Sequence, residues 1–138
     1  MSARATLLLD ANVVIRLLTG QPQEQHTAAV RLFERAAEGE VALGLQVLTL
    51  AEIAWVLDAV YGCSRSVIAE HLSALLETPG VVVPMRNVVE NPIERFTRTG
   101  VDFADAWLAA CAVAQGKVVA SFDRDFGQFP DVQWQVPS

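Results

Sequence analysis

Asp10, Glu52, Asp105 and Asp123 stand in the most apolar stretches of the chain. Asp10 closes the run Thr6-Leu7-Leu8-Leu9 and opens Asp10-Ala11-Asn12-Val13-Val14-Ile15. Glu52 lies within Val47-Leu48-Thr49-Leu50-Ala51-Glu52-Ile53-Ala54-Trp55-Val56-Leu57, Asp105 is the sole charge between Phe103 and Ala114, and Asp123 ends Val118-Val119-Ala120-Ser121-Phe122. An ionised carboxylate in an apolar setting costs several kcal/mol unless it is paired, hydrogen-bonded or bound to metal. No lysine or arginine lies within these segments to neutralise them. The economical expectation is that the four converge on a divalent cation. Mg²⁺ and Mn²⁺ take hard oxygen ligands, with water and substrate phosphate completing the shell. Such an ion clamps a phosphodiester and activates water, chemistry that needs clustered carboxylates and neither Cys nor His.

The elements that must position these acids follow from periodicity. Short apolar runs alternate with longer helical patterns, which predicts an α/β fold of βαβ units on a parallel sheet. Strands are expected at Thr6–Leu9, Val41–Leu45, Val81–Val83 and Lys117–Phe122, with Val132–Val136 as an added edge strand. Lys117–Phe122 is apolar enough to be read as central. Helices are expected over Val13–Leu18, from Pro22 to Glu38, Thr49–Tyr61, Arg65–Glu77 behind a Ser64 cap, Val88–Arg98, and from an Asp102 cap to Gln115. Ligands of open α/β sheets bind outside the carboxyl ends of the strands. Asp10 and Asp123 stand at two such ends, and Glu52 and Asp105 near two helix starts.

Each acid also has a purely structural role open to it. Asp10 suits a helix cap, Thr49-x-x-Glu52 fits a capping box, and Asp105 favours the positive end of its helix. Asp123 and Asp125 suit a turn before Phe126-Gly127. Four such coincidences at strand ends and helix starts are harder to accept than one shared site. Core packing is the expectation for Trp55 and Trp107. Among Arg16, Arg86, Arg95, Arg98 and Arg124, solvated helix faces with i,i+4 partners compete with a role in steering a polyanion.

The length of 138 residues and 52% hydrophobic content predict one domain, 1–138, with a substantial core. Cys63 and Cys111 are too far apart for a metal knuckle and suit a reducing cytoplasm, and His26 and His71 are read as surface residues. The leucine run before Asp10 is too short for a signal sequence, and no uncharged stretch is long enough to span a bilayer. A cytoplasmic protein without membrane contact is therefore expected. The net charge of −6 argues at first against a nucleic-acid ligand. Yet of 16 acids and 10 bases, setting aside Asp10, Glu52, Asp102, Asp105, Asp123 and Asp125 leaves 10 against 10. The acidic excess equals these six residues, and bound cations would offset it locally.

Asp10-Ala11-Asn12 after the first strand, Glu52 on a later helix, Asp102-Phe103-Ala104-Asp105-Ala106-Trp107-Leu108-Ala109-Ala110, and Ser121-Phe122-Asp123-Arg124-Asp125-Phe126 together resemble the PIN-domain pattern. In length and spacing the chain is similar to the VapC toxin ribonucleases of prokaryotic toxin–antitoxin pairs, from residue 6 to about 135. Each motif alone is weak; their order and spacing are specific. The resemblance implies a three-layer fold with a central parallel sheet of four to five strands flanked by helices. It also implies a Mg²⁺- or Mn²⁺-dependent endoribonuclease. The family's four acids map to Asp10, Glu52, Asp105 and Asp123, as catalytic and metal-binding residues. Asn12 and Ser121 match supporting polar positions, with serine where threonine is commoner. Asp102 is read as a helix cap and Asp125 as a turn or supporting residue. The resemblance further implies a homodimer and a small antitoxin that blocks the site.

A haloacid-dehalogenase-type phosphotransferase would need a second carboxylate where Asn12 stands, and a receiver domain an aspartate that Val81-Val82-Val83-Pro84-Met85 lacks. A PIN nuclease in RNA maturation, or a non-catalytic PIN-like protein-binding module, keeps the same fold; loss of an acid would mark the latter, and all four are present.

Overall fold

A computed structural model describes residues 4–138, so the first three residues of the expected domain lie outside the described residues. In chain order the elements are β1 (Ala5–Leu8), α1 (Ala11–Thr19), α2 (Gln23–Ala37), β2 (Val41–Gly44), α3 (Val47–Ala59), α4 (Arg65–Leu76), β3 (Val81–Val82), α5 (Arg86–Arg98), α6 (Phe103–Gln115), β4 (Val119–Ala120), a 3₁₀ turn (Arg124–Gln128) and β5 (Trp134–Gln135). Local chemistry explains several boundaries. The Ser64 hydroxyl accepts the Val67 amide at 3.2 Å, the expected cap of α4. Gly116 ends α6 in the left-handed region, at φ 65°, which lets its amide reach back to the helix carbonyls. Gly80 is required by contact: a Cβ there would lie 2.6 Å from the Ala36 carbonyl oxygen at the end of α2.

All strand pairings are parallel, as expected, but the five strands form two sheets rather than one. One has the order β1-β2-β3 and the other pairs β4 with β5. β2 is central and buried throughout, whereas β1 is an exposed edge. The expected central strand Lys117–Phe122 contracts to Val119–Ala120, with Val118 and Phe122 exposed. An apolar run becomes a two-sided central strand only when a partner lies on each side, and β4 is hydrogen-bonded to β5 alone.

Two apolar cores accompany the two sheets. The larger gathers Leu43 and Leu45 with Val14, Ile15, Phe33, Leu50, Ile53, Ile68, Leu72, Val89 and Phe96 from the first five helices. The smaller joins Ala106, Ala109 and Ala112 of α6 to Val119, Phe126, Phe129 and Val132. α6 separates them: Phe103 belongs to the larger core and Trp107 packs against it, on the face opposite the alanines. Trp55, expected in the core, is instead 66% exposed on α3. No described helix is long and apolar enough to cross a membrane.

One buried charge ties the C-terminal segment to the helices. Arg95 of α5, only 9% exposed, donates through Nη1 and Nη2 to both carboxylate oxygens of Asp131, at 2.8 and 2.5 Å. Its Nε donates to Asn91 Oδ1, and its guanidinium carbon lies 5.1 Å from the Phe129 ring centroid. Arg95 is thus a structural residue, not a free cation. The Arg95 hydrogen bonds hold the Asp131 carboxyl below the usual carboxylate range, against a smaller opposing effect of burial. That stabilisation is complete above the ordinary carboxylate pKa and is lost as pH falls through the lowered one. Asp131→Asn should cost about 1–2 kcal/mol at neutral pH, a charge-assisted bond discounted for the half-exposed carboxylate. In urea unfolding, the gap from wild type should shrink as pH is lowered; a gap independent of pH would contradict this account.

Candidate active site

Two groups of acids form, one on the side of α1 and α3 and one on the side of α6 and β4. On the first side, the ladder of β1 extends one residue beyond the strand, with the Leu9 amide donating to the Gly44 carbonyl at 2.9 Å. Asp10 follows at the N-cap of α1 in extended backbone, and its side chain makes no capping hydrogen bond. Its carboxylate is therefore not committed to the helix. α3 begins at Val47, with Gln46 at the N-cap, so Thr49 lies inside the helix and does not cap it. Glu52 is exposed on the outer face of α3 with Leu48 and Trp55, while Leu50, Ile53, Ala54 and Leu57 face the core.

Asp10, Asn12 and Glu52 line one cavity of about 370 Å³ together with Arg16, Val56, Val60 and Tyr61. Glu52, Val56 and Val60 follow i, i+4, i+8 spacing, which places a carboxylate and an apolar wall on one stripe of α3. Tyr61 was not among the expected site residues, although that spacing points to its end of the helix. Arg16 reaches the same cavity, and its Nε donates to Gln25 Oε1 at 2.7 Å.

On the other side, Asp102 occupies the N-cap of α6 without a side-chain capping bond, and Asp105 lies in the first turn. Asp123 and Asp125 belong to the turn after β4. The Ser121 hydroxyl accepts the Asp123 amide at 2.9 Å, and Asp123 Oδ1 accepts the Asp125 amide at 2.8 Å. Gln128 Nε2 donates to Asp125 Oδ1 at 3.5 Å. Ser121 thus shapes the turn that presents Asp123. Partial burial, and then the charges of Asp102, Asp123 and Asp125, push the Asp105 carboxyl above the usual carboxylate range.

The structure brings Asp10 to Glu52, and Asp105 into the field of Asp102, Asp123 and Asp125. It does not bring all four expected ligands to one point. Among the described residues, no three Asp, Glu, His or Cys side chains are arranged to hold a metal ion. β1 and β4, which lead to Asp10 and Asp123, lie in different sheets, so no shared ladder sets the distance between the two groups. The donor chemistry nonetheless fits a hard divalent cation, since every candidate is a carboxylate. Of the arginines considered for polyanion steering, Arg86 pairs with Glu77 and Glu90, and Arg98 with Glu94 at 2.8 Å. Arg124, exposed beside Asp123, makes no ion pair among the described residues.

Fold and site together define a parallel α/β protein with acids gathered where its strands end. The sequence model of the PIN domain matches residues 7–132, and the chain belongs to the PIN domain family. It is similar to Ribonuclease VapC37 of Mycobacterium tuberculosis (strain ATCC 25618 / H37Rv), with 26% identity over 141 residues, covering 94% of this chain and 96% of that one. VapBC2 from Rickettsia felis, solved bound to a DNA fragment from their promoter, aligns over 97% of this chain and 99% of that chain. Its TM-score of 0.40 and 13% identity are too low for that likeness to bear on the fold.

The Asp105 environment has a measurable consequence. Because the folded state raises its pKa, it binds the proton more tightly than the unfolded chain does. Stability therefore falls as pH rises from the ordinary carboxylate value through the raised one. Asp105→Asn should stabilise the EDTA-treated protein at neutral pH by on the order of 0.5–1 kcal/mol after solvent screening, roughly 2–3 °C in Tm. A lower Tm for the variant would show that Asp105 stabilises the fold instead.

Proposed function

We propose that this chain is a divalent-metal-dependent endoribonuclease, the toxin member of a toxin–antitoxin pair acting in the cytoplasm. The observation that carries the reading is the PIN-domain match over residues 7–132, with Asp102, Asp105, Asp123 and Asp125 close enough to feel one another's charge. The similarity to Ribonuclease VapC37 supports RNA as substrate and the toxin role.

Asp10, Glu52, Asp105 and Asp123 would hold Mg²⁺ or Mn²⁺. Such an ion, when bound, supplies electrophilic stabilisation of the negative charge that builds on a phosphodiester under attack. The chain's own residues do the positioning. Asp123 keeps one rotamer because its Oδ1 accepts the Asp125 amide, which leaves Oδ2 for other partners. Ser121 braces that turn. Glu52, on the α3 side beside Asp10, would complete the set and position the attacking water. Asn12 offers a neutral hydrogen-bonding group in the Asp10 cavity. Arg124, next to Asp123 and without an ion-pair partner, suits an RNA phosphate. Its contact would be sequence-independent, so substrate choice falls to loop shape around the site.

Asp10→Asn and Asp105→Asn each remove one charge and little volume. Each should reduce Mg²⁺- or Mn²⁺-dependent RNA cleavage by at least about 100-fold, with an unchanged circular dichroism spectrum. Full cleavage by either variant would overturn the mechanism.

The outer face of α3 supports association. Leu48 is 78% exposed and Trp55 66%, on a stripe that runs toward Val60 and Tyr61 at the Asp10 cavity. Solvated apolar surface of this extent favours a protein partner. We assign it to a second copy of the chain and to an antitoxin segment that lies over the cavity, where a basic side chain would complement the acids. Light scattering of the purified chain should give a dimer at micromolar concentration, and Trp55→Glu should shift it toward monomer. A wild-type monomer at that concentration would refute the dimer.

A further inference from the structure

Arg65, the first residue of α4, has contacts that an exposed helix-start arginine would lack. Its Nε donates to the Phe96 carbonyl at 2.9 Å, and its Nη2 to the Val101 carbonyl. Its guanidinium carbon lies 3.8 Å from the Phe96 ring centroid. The Phe96 carbonyl is one of the last four of α5, which have no acceptor role within the helix, and a cation there also complements the helix dipole. Val101 is fully buried and directly precedes Asp102; its own amide is held by the Thr99 hydroxyl at 3.2 Å. Arg65 thus holds both ends of the short connection from α5 to α6, and Thr99, whose hydroxyl also donates to the Arg95 carbonyl at 2.8 Å, braces it from within.

The charges around Arg65 span the two sides of the site. Asp58 of α3 and Asp102 of α6 both favour its cationic form, against the larger opposing effect of burial. A crevice of about 140 Å³ contains Trp55, Asp58, Arg65, Phe96, Asp102 and Phe103, so α3, α4, α5 and α6 meet there. α3 carries Glu52 and α6 carries Asp105. Among the described residues no β-ladder joins the two sheets, so contacts between helices relate the two acid groups.

We propose that Arg65 is a positioning residue that clamps the α5–α6 connection to the α3–α4 pair and thereby sets Asp102 and Asp105 relative to Glu52. Geometry explains why arginine serves here. A planar guanidinium stacks on the Phe96 ring while its edge donates to two separate carbonyls. Lysine has one point charge and no flat face, so it can keep the charge but not all three contacts. The metal arm of the test rests on the metal-dependent reading above; the exchange arm does not.

The experiment compares wild type, Arg65→Met, Arg65→Lys and, as a control for general destabilisation, Ile68→Val, which loosens the packing of α4 without touching these contacts. Hydrogen exchange of the 99–106 segment should be at least 10-fold faster in Arg65→Met than in Ile68→Val, with other protected segments alike. Calorimetric Mn²⁺ affinity should fall about 10-fold in Arg65→Met, less in Arg65→Lys, and not in Ile68→Val. If Arg65→Met fails to fold, Arg65→Lys carries the same comparisons. Exchange in 99–106 that rises no more than in the control would overturn the proposal, as would unchanged Mn²⁺ affinity in both Arg65 variants. Absence of Mn²⁺ binding by wild type would overturn the metal reading instead, and the exchange comparison would still decide the role of Arg65.

Discussion

Phe103 and Trp107 on one side of α6, and Ala106, Ala109 and Ala112 on the other, put a single helix in contact with both apolar cores. A helix that must bury two faces cannot slide or rotate without exposing apolar surface on one of them. The small alanine face admits β4 and the 3₁₀ turn at close range, and the aromatic face fills the larger core, where Phe96 and Phe103 meet edge to face with ring centroids 6.3 Å apart. The placement of Asp102 and Asp105 at the start of this helix follows from that constraint. So does the nearness of Asp105 to the turn that carries Asp123.

The acids sit where the fold leaves them least satisfied. Ser64 completes its cap, and Asp123 satisfies a turn, but Asp10 and Asp102 occupy N-cap positions without making the side-chain bond that such positions offer. A capping bond would stabilise each helix by about 1 kcal/mol. Neither carboxylate is therefore committed to the helix it begins.

The basic residues divide along similar lines. Arg95 and Arg65 are drawn into the structure, one onto Asp131 and the other onto backbone carbonyls, and each holds together segments about 30 or more residues apart in sequence. Arg86 and Arg98 form exposed pairs on α5, which contribute little to stability. Arg124 beside Asp123, and Arg16 in the Asp10 cavity, make no ion pair among the described residues. Arginines that look alike in the sequence are therefore a core anchor, a clamp, a solvated pair and a candidate phosphate contact.

Local chemistry was legible in the sequence alone. The periodicity of apolar residues and the Ser64 cap gave the order of helices and strands to within a few residues, because each depends on neighbours three or four positions away. The acids could be singled out for the same reason: a carboxylate inside an apolar run is visible without knowing what lies opposite. What required the tertiary structure was everything set by partners distant in sequence. The division of five parallel strands into two sheets depends on which edges meet, so the apolar run Lys117–Phe122 did not become a central strand. Trp55 reads as a core residue by type but lies on the outer face of α3, since Leu50, Ile53, Ala54 and Leu57 already fill the inner one. The grouping of Asp10 with Glu52 likewise comes from the packing of Val14 and Ile15 of α1 with Leu50 and Ile53 of α3 in one core, and burial of that kind leaves no signature in a window of a few residues.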